Sequence, residues 1–266
     1  MRDLVSELLD FRKQEQGFLK LKVEYMDIVS FTKEIYMSFY EYALKHSVNY
    51  KFEHMEEKLN LWFDPVQLQK VIFNLLSNAF KYTKAKGSIT VSIRKIKNEV
   101  EIRVEDDGVG ISKESIHKIF DRFYQVDGQS SEFTLGTGIG LAVSKGIVEL
   151  HKGNIRVESE VGQGSVFIVT LLTGNEHFPK EVLSDSESNF HLIKDGVLED
   201  LVLEELMLEE PVKEQELTNE EKAGEMDIES KDSDNKPSIL IVEDNLEILE
   251  MLEDIFAPIY HVYKKR

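Results

Sequence analysis

Asn74 and Asn78 stand four residues apart in the run VQLQKVIFNLLSNAFKYT, and Lys70 and Lys81 recur beside them at spacings of three to four. In a helix all four share one stripe, opposite an apolar face of Leu68, Val71, Ile72, Leu75, Leu76 and Ala79. Neutral amide oxygens one turn apart suit Mg²⁺ when phosphate oxygens and water complete its shell, because that ion seldom takes an all-protein cage. The same asparagines also suit a plain solvated helix face. Further on, Asp106-Asp107-Gly108-Val109-Gly110 closes a strand-like run. A carboxylate there can accept a hydrogen bond from an adenine amino group while the glycine turn admits the ring, although an ordinary Asp-Gly turn has the same composition. A third cluster, GTGIGLAVSKGIVELHKG, sets Gly136, Gly138 and Gly140 at every second position before a helix-type run. Alternate glycines let backbone approach a ligand, and the free amides of a helix N-terminus attract phosphate.

These clusters need a scaffold. Asp64-Pro65 reads as a helix start, an N-cap carboxylate followed by proline at the first helical position, so the asparagine stripe lies on a helix. SITVSIRKIK and NEVEIRVEDD alternate around Lys97-Asn98 as a hairpin whose second strand delivers Asp106 to its end. KESIHKIF reads as a short helix, and DRFYQVDGQSSEFTLGTG as a long irregular stretch of the kind that is functional or disordered in compact domains. The helix from Gly138 to about His151 ends at Gly153 as C-cap, and NIRVESE and GSVFIVTLL close the unit as strands. Before all of this, LKLKVEYMD alternates as a strand, Asp27 caps a helix over IVSFTKEIYMSFYEYALKHS, and VNYKFE and LNLWF are short strands. The expected fold class is α/β, a two-layer sandwich with helices on one face of a mixed sheet.

Composition narrows the function. The chain has 266 residues, 41% of them hydrophobic, enough for one good core and part of a second. No cysteine is present, which excludes disulfides, thiolate metal sites and a cysteine nucleophile. The net charge is -18, and residues 174–236 hold 20 acidic residues against six lysines, so the charge is concentrated in what reads as a solvated or disordered linker. Within it, HLIKDGVLEDLVLEELMLEE carries leucines at near-helical spacing. This balance argues against nucleic-acid binding by the chain.

NLLSNAFKYT, DDGVGIS, IFDRFYQ and the glycine segment occur in the order and spacing of the N, G1, F and G2 boxes of histidine-kinase catalytic domains, and residues 25–173 resemble such a domain. The resemblance implies a Bergerat fold that binds ATP with Mg²⁺ and transfers the γ-phosphoryl to a histidine. Matched by position, Asn74 and Asn78 resemble the magnesium-side catalytic residues, Lys81 a phosphate contact and Tyr82 a wall against the adenine. Asp106 resembles the adenine-reading aspartate, with Gly108 and Gly110 its turn. Arg122 is similar to the arginine that reaches the γ-phosphate, while Phe120 and Phe123 pack the base of the lid. Gly136, Thr137, Gly138, Gly140 and Leu141 match the hinge and phosphate-facing backbone of the G2 box.

The remaining segments resemble neighbouring parts of hybrid systems. Residues 1–24, with LVSELLDFRKQEQG, are similar to the end of a dimerisation and phosphoacceptor helix, and residues 237–266 to the opening of a receiver domain with Glu243-Asp244 as half of its acidic pair. None of the seven histidines sits in a phosphoacceptor motif, so that histidine is expected upstream and the receiver's aspartate downstream. The expected partners are ATP, the parent protein's phosphoacceptor helices and a receiver domain; the chain alone is expected as a monomer or weak dimer, in the cytoplasmic part of a membrane-anchored bacterial sensor. Hydrolases of the gyrase, MutL and chaperone branch place a water-activating glutamate where this sequence has Asn74, which cannot act as a general base. A module that binds nucleotide without phosphotransfer is the reading from another class.

Overall fold

A computed structural model describes residues 20–125, 138–184, 238–242, 249, 253 and 261–265. The chain divides into two units, Met1–Val212 and Lys213–Arg266. In the first, β1 (Glu24–Asp27) leads to α1 (Ile28–Ser38) and α2 (Tyr40–Lys45), then to β2 (Asn49–His54), β3 (Asn60–Phe63) and α3 (Pro65–Tyr82). The hairpin β4 (Ser88–Ile96) and β5 (Glu99–Asp106) follows, then the single-turn α4 (Lys113–Ile116), α5 (Gly140–Leu150), β6 (Asn154–Glu160) and β7 (Gly164–Leu172).

Five strands form one sheet in the order β2-β4-β5-β7-β6. Only β2 and β4 run parallel, so the sheet is mixed, and β5 lies at its centre. Alternation along the strands sets Val91, Ile102, Val104, Phe167 and Val169 on the helix-covered face. Against them α3 buries Leu68, Val71, Ile72, Leu75 and Leu76, all 0% exposed. Each such side chain contributes about 1.5–3 kcal/mol by leaving water, which is what holds the asparagine stripe in place above the sheet. The opposite face is covered by charge: Glu101 bonds Arg156 at 2.9 Å and Arg103 at 3.4 Å, and Ile168 lies beneath, fully buried. Burial raises the Glu101 carboxyl, but the Arg156 and Arg103 guanidinium groups outweigh it and hold the group below its ordinary range.

Several expectations are corrected in detail. The helix predicted after Asp27 breaks at Phe39, because its ring turns inward and packs on Phe73 and Phe80 at 5.2 and 5.4 Å. The sequence left the partner of LNLWF open; as β3 it pairs with β1, outside the main sheet. Gly153 is not the left-handed cap of α5; Lys152 takes φ 59°, and Gly153 instead gives room to the Thr170 carbonyl of β7. KESIHKIF forms only one helical turn.

The ordered unit also extends past the predicted boundary at 173. A 3₁₀ turn, Lys180–Val182, brings the outgoing chain back to Val23, which it bonds through Val23 N–H to Val182 O and Ser184 N–H to Val23 O, both 2.8 Å. Leu21, Val23 and Phe178 form a small apolar cluster there, separate from the main core. In the second unit β8 (Ser238–Val242) and β9 (His261–Lys265) pair in parallel. The predicted strand ILIV forms, with Leu240 and Val242 61% and 64% exposed. Residues 1–19, the body of the acidic segment and Glu243-Asp244 lie outside the described residues.

Candidate functional site

Asp106 ends the central strand, opposite Ile89 of β4 and Ser165 of β7, and is 6% exposed. Its Oδ1 accepts the Gly108 N–H at 2.9 Å. Burial pushes the carboxyl up to about 6, against the lowering effect of the Gly108 and Ser165 backbone bonds; the charges of Asp107 and Glu105 raise it further. A poised, hydrogen-bonded acceptor at a strand end is the arrangement that reading an amino group requires.

The turn after Asp106 is stitched on two sides. Val109 N–H donates to the Tyr82 carbonyl at the end of α3 (3.3 Å), and Gly162 N–H donates to the Val109 carbonyl (2.8 Å). Ile111 N–H reaches Ser159 Oγ at 2.8 Å. Gly110 sits at φ 69°, where a Cβ would overlap the Glu160 carbonyl oxygen, so no other residue fits this turn without shifting the β6–β7 hairpin. At Gly108 a Cβ would overlap the Tyr82 carbonyl. The G1 turn therefore joins the end of the asparagine helix to the sheet.

On α3, Asn74 and Asn78 stack as expected, with Asn78 Nδ2 donating to Asn74 Oδ1 at 3.4 Å. Asn74 is also engaged from the other side: its Nδ2 donates to the buried Ser144 Oγ of α5 at 2.9 Å, and a Cβ at Gly140 would collide with its amide. Asn74 thus ties the two helices together, while the half-buried Asn78 keeps its carbonyl oxygen clear of protein donors among the described residues. Neutral oxygens are a fitting donor set for Mg²⁺ brought in on a phosphate, and among the described residues no group of three or more His, Cys, Asp or Glu side chains competes for it.

Lys81 and Tyr82 follow on the same helix, Lys81 Nζ lying 5.9 Å from the centre of the Tyr82 ring, which is 43% exposed. Arg122 is exposed in the turns after α4. Next to it Phe123, expected to pack the lid base, is 41% exposed and makes its tie through the backbone: it takes φ 59°, and its N–H donates to the Gly138 carbonyl at 3.0 Å. The F box and the G2 box therefore meet at Phe123 and Gly138. Phe120 packs on the main core, and Leu141 is half-buried against it. Gly136 and Thr137 lie outside the described residues.

One pair escaped sequence reasoning. His151, read there as a surface or packing residue, is 1% exposed; its Nε2 accepts the Asp64 N–H at 2.9 Å, and its Nδ1–H donates to the Ile147 carbonyl at 2.8 Å. Burial lowers its basicity, so the ring is held neutral. The only signal in the sequence is a histidine at the end of an apolar helix, which does not reveal a partner 87 positions away.

Residues 63–175 match the family described as histidine kinase-, DNA gyrase B- and HSP90-like ATPase. Among curated proteins the chain is 41% identical over 186 residues to histidine kinase P4 of Formosa agariphila, a match over 68% of this chain and 14% of that protein. It is 32% identical over 169 residues to sensor protein SrrB of Staphylococcus aureus, covering 63% of this chain and 29% of that one. The chain thus spans less than a third of the length of these relatives. Among solved structures, the nucleotide-free catalytic domain of histidine kinase ThkA superposes with a TM-score of 0.52 at 27% identity, over 57% of this chain and 99% of that domain. ThkA in complex with the response regulator TrrA gives 0.56 at 26% identity, over 66% of this chain and 48% of ThkA. With its boxes folded onto a mixed sheet in that way, the first unit has the Bergerat fold, and its residues 63–175 are similar to the histidine kinase-, DNA gyrase B- and HSP90-like ATPases.

Proposed function

We propose that the chain is the catalytic ATP-binding part of a hybrid sensor histidine kinase, which binds ATP with Mg²⁺ and passes the γ-phosphoryl to a histidine upstream of residue 1, and onward to a receiver. The observation that carries this reading is Asp106, a buried carboxylate at the end of the central strand with its turn sewn to the end of α3. Asp106 would accept from the adenine amino group, with the exposed Tyr82 ring beside it. Asn78 would face the phosphate-bound Mg²⁺, and Asn74 would hold Asn78 and α5 in register. Mg²⁺ supplies charge neutralisation on the phosphates when bound. Arg122 would meet the charge that develops on the γ-phosphate, and its guanidinium can accept that charge without proton transfer.

Transfer rather than hydrolysis is favoured by the engagement of Asn74 with Ser144, since no carboxylate stands there to activate water. Similarity to a sensor protein, to histidine kinases and to a kinase seen with its response regulator supports the sensor and receiver parts of the proposal. The further placement, as the cytoplasmic part of a membrane-anchored protein, is also proposed; no described helix is itself long and apolar enough to cross a membrane. The deciding experiment is calorimetric titration with AMPPNP, with and without Mg²⁺, on the chain and on Asp106→Asn. Magnesium-dependent binding that is lost in the variant is the expected result. A folded chain that binds no nucleotide, or a variant that binds as tightly, would sink the assignment.

A further inference from the structure

The helices α3 and α5 lie antiparallel and are pinned to each other at two points. Midway along them the pin is Asn74 to Ser144, at 2.9 Å. At the far end it is the Asp64 N–H on His151 Nε2, also 2.9 Å, with both residues nearly inaccessible at 3% and 1% exposure. The Asp64 carboxylate has a double duty. One oxygen caps α3 through Gln67 N–H at 3.0 Å, and the other accepts Lys22 N–H at 2.7 Å from the incoming backbone. That backbone is in turn held by the outgoing segment through the two Val23 bonds, and Phe178 of that segment sets its ring edge-on to His151 at 6.2 Å. Incoming chain, outgoing chain and the far ends of both nucleotide helices therefore converge on one buried junction.

From this geometry we infer that Asp64 and His151 are positioning residues that couple the nucleotide site to a clasp formed by residues 178–184 closing on residues 21–23. The inference rests on the proposed nucleotide reading of the site. From Asp64 to Asn74 is ten residues of helix, a rod of about 15 Å that passes a shift at its cap to its polar stripe. The clasp itself is small: two backbone hydrogen bonds and the cluster of Leu21, Val23 and Phe178, apart from the main core. Such a unit can open without unfolding the domain, which gives the coupling its two states. Both halves of the clasp lie outside the residues matched by the ATPase family, 63–175. What they join is the chain arriving from upstream and the chain leaving for the acidic segment, and opening or closing them is how either side would act on ATP affinity.

Coupling between two sites is reciprocal, and this sets the test. Leu183 packs against the Leu21, Val23 and Phe178 cluster, so Leu183→Asp disrupts the apolar side of the clasp, and Ser184→Pro removes the N–H that bonds the Val23 carbonyl. In the full chain, each variant is expected to fold with unchanged circular dichroism and to bind AMPPNP with Mg²⁺ on the order of fivefold more weakly than wild type. Conversely, AMPPNP is expected to slow hydrogen exchange at the Val23 and Ser184 amides of the wild type by the same factor. If wild type binds but both folded variants bind equally well, or if nucleotide leaves those amides unchanged, the coupling is overturned while the nucleotide reading stands. If wild type does not bind at all, the nucleotide reading falls first and the coupling with it.

Discussion

Asp106 carries a stability cost at the position proposed to read the adenine. Its carboxyl titrates at about 6 in the fold, against 3.8 for the free group, because burial disfavours the charge. Between those two values the folded protein holds a proton that the unfolded chain has released, so stability falls as pH rises through that window, and above about 6 the full cost is present. Asp106→Asn keeps the oxygen that accepts from Gly108 and removes the charge. It is expected to raise the stability of the nucleotide-free chain at pH 8, by up to about 3 kcal/mol, with the difference vanishing near pH 4. Thermal melting at the two pH values checks this, and an unchanged melting temperature at pH 8 would refute it. The same substitution is expected to abolish nucleotide binding, so gain of stability and loss of function should appear together.

Among the elements, the turn between β5 and α4 is the most constrained, held between the end of α3 and the β6–β7 hairpin. Gly110 and Gly162 both take positive φ, 69° and 81°, but only at Gly110 would a Cβ run into backbone; at Gly162 nothing lies within 4 Å. Gly162→Ala should therefore cost only the left-handed strain, about 1 kcal/mol. Gly110→Ala adds a collision with Glu160 and should cost about 2–4 kcal/mol and weaken AMPPNP binding. Urea denaturation of the two variants checks the difference, and equal losses would show that the hairpin yields to the turn. The Glu101–Arg103–Arg156 group does a different task at this scale: it covers a sheet face that carries no helix among the described residues and keeps Ile168 dry.

The molecule as a whole is an α/β unit whose incoming and outgoing chains meet, with a strongly acidic sequence segment and a second, small unit after it. Phosphoryl transfer belongs to this scale, because the proposed acceptor is a histidine that the chain does not itself present. In a longer protein with that helix present, Arg122→Ala is expected to lower the rate of histidine phosphorylation on the order of a thousandfold while leaving AMPPNP affinity within a few-fold. Single-turnover transfer of labelled phosphate is the measurement. Transfer at the unaltered rate would remove Arg122 from the chemistry and favour a module that only binds nucleotide.

Much of the candidate site's backbone framework was legible in the linear chain because its signals are local. The Asp64-Pro65 helix start, the three-to-four spacing of Asn74, Asn78 and Lys81, the period-two strands and the alternate glycines each follow from backbone geometry within one turn or one pleat. Register and topology followed only in outline: a mixed sheet was expected, but not which strands it joins or that β3 pairs with β1, and the helix after Asp27 breaks because Phe39 finds Phe73 and Phe80 in three dimensions. The positive φ of Lys152 and the backbone tie of Phe123 to Gly138 likewise depend on what each segment packs against. Only tertiary structure could decide that Asn74 spends its amide on Ser144, that His151 answers Asp64, and that the chain past residue 173 folds back onto Val23. Those contacts join residues far apart in sequence, and a hydrogen bond between such residues leaves no periodicity for a sequence to display.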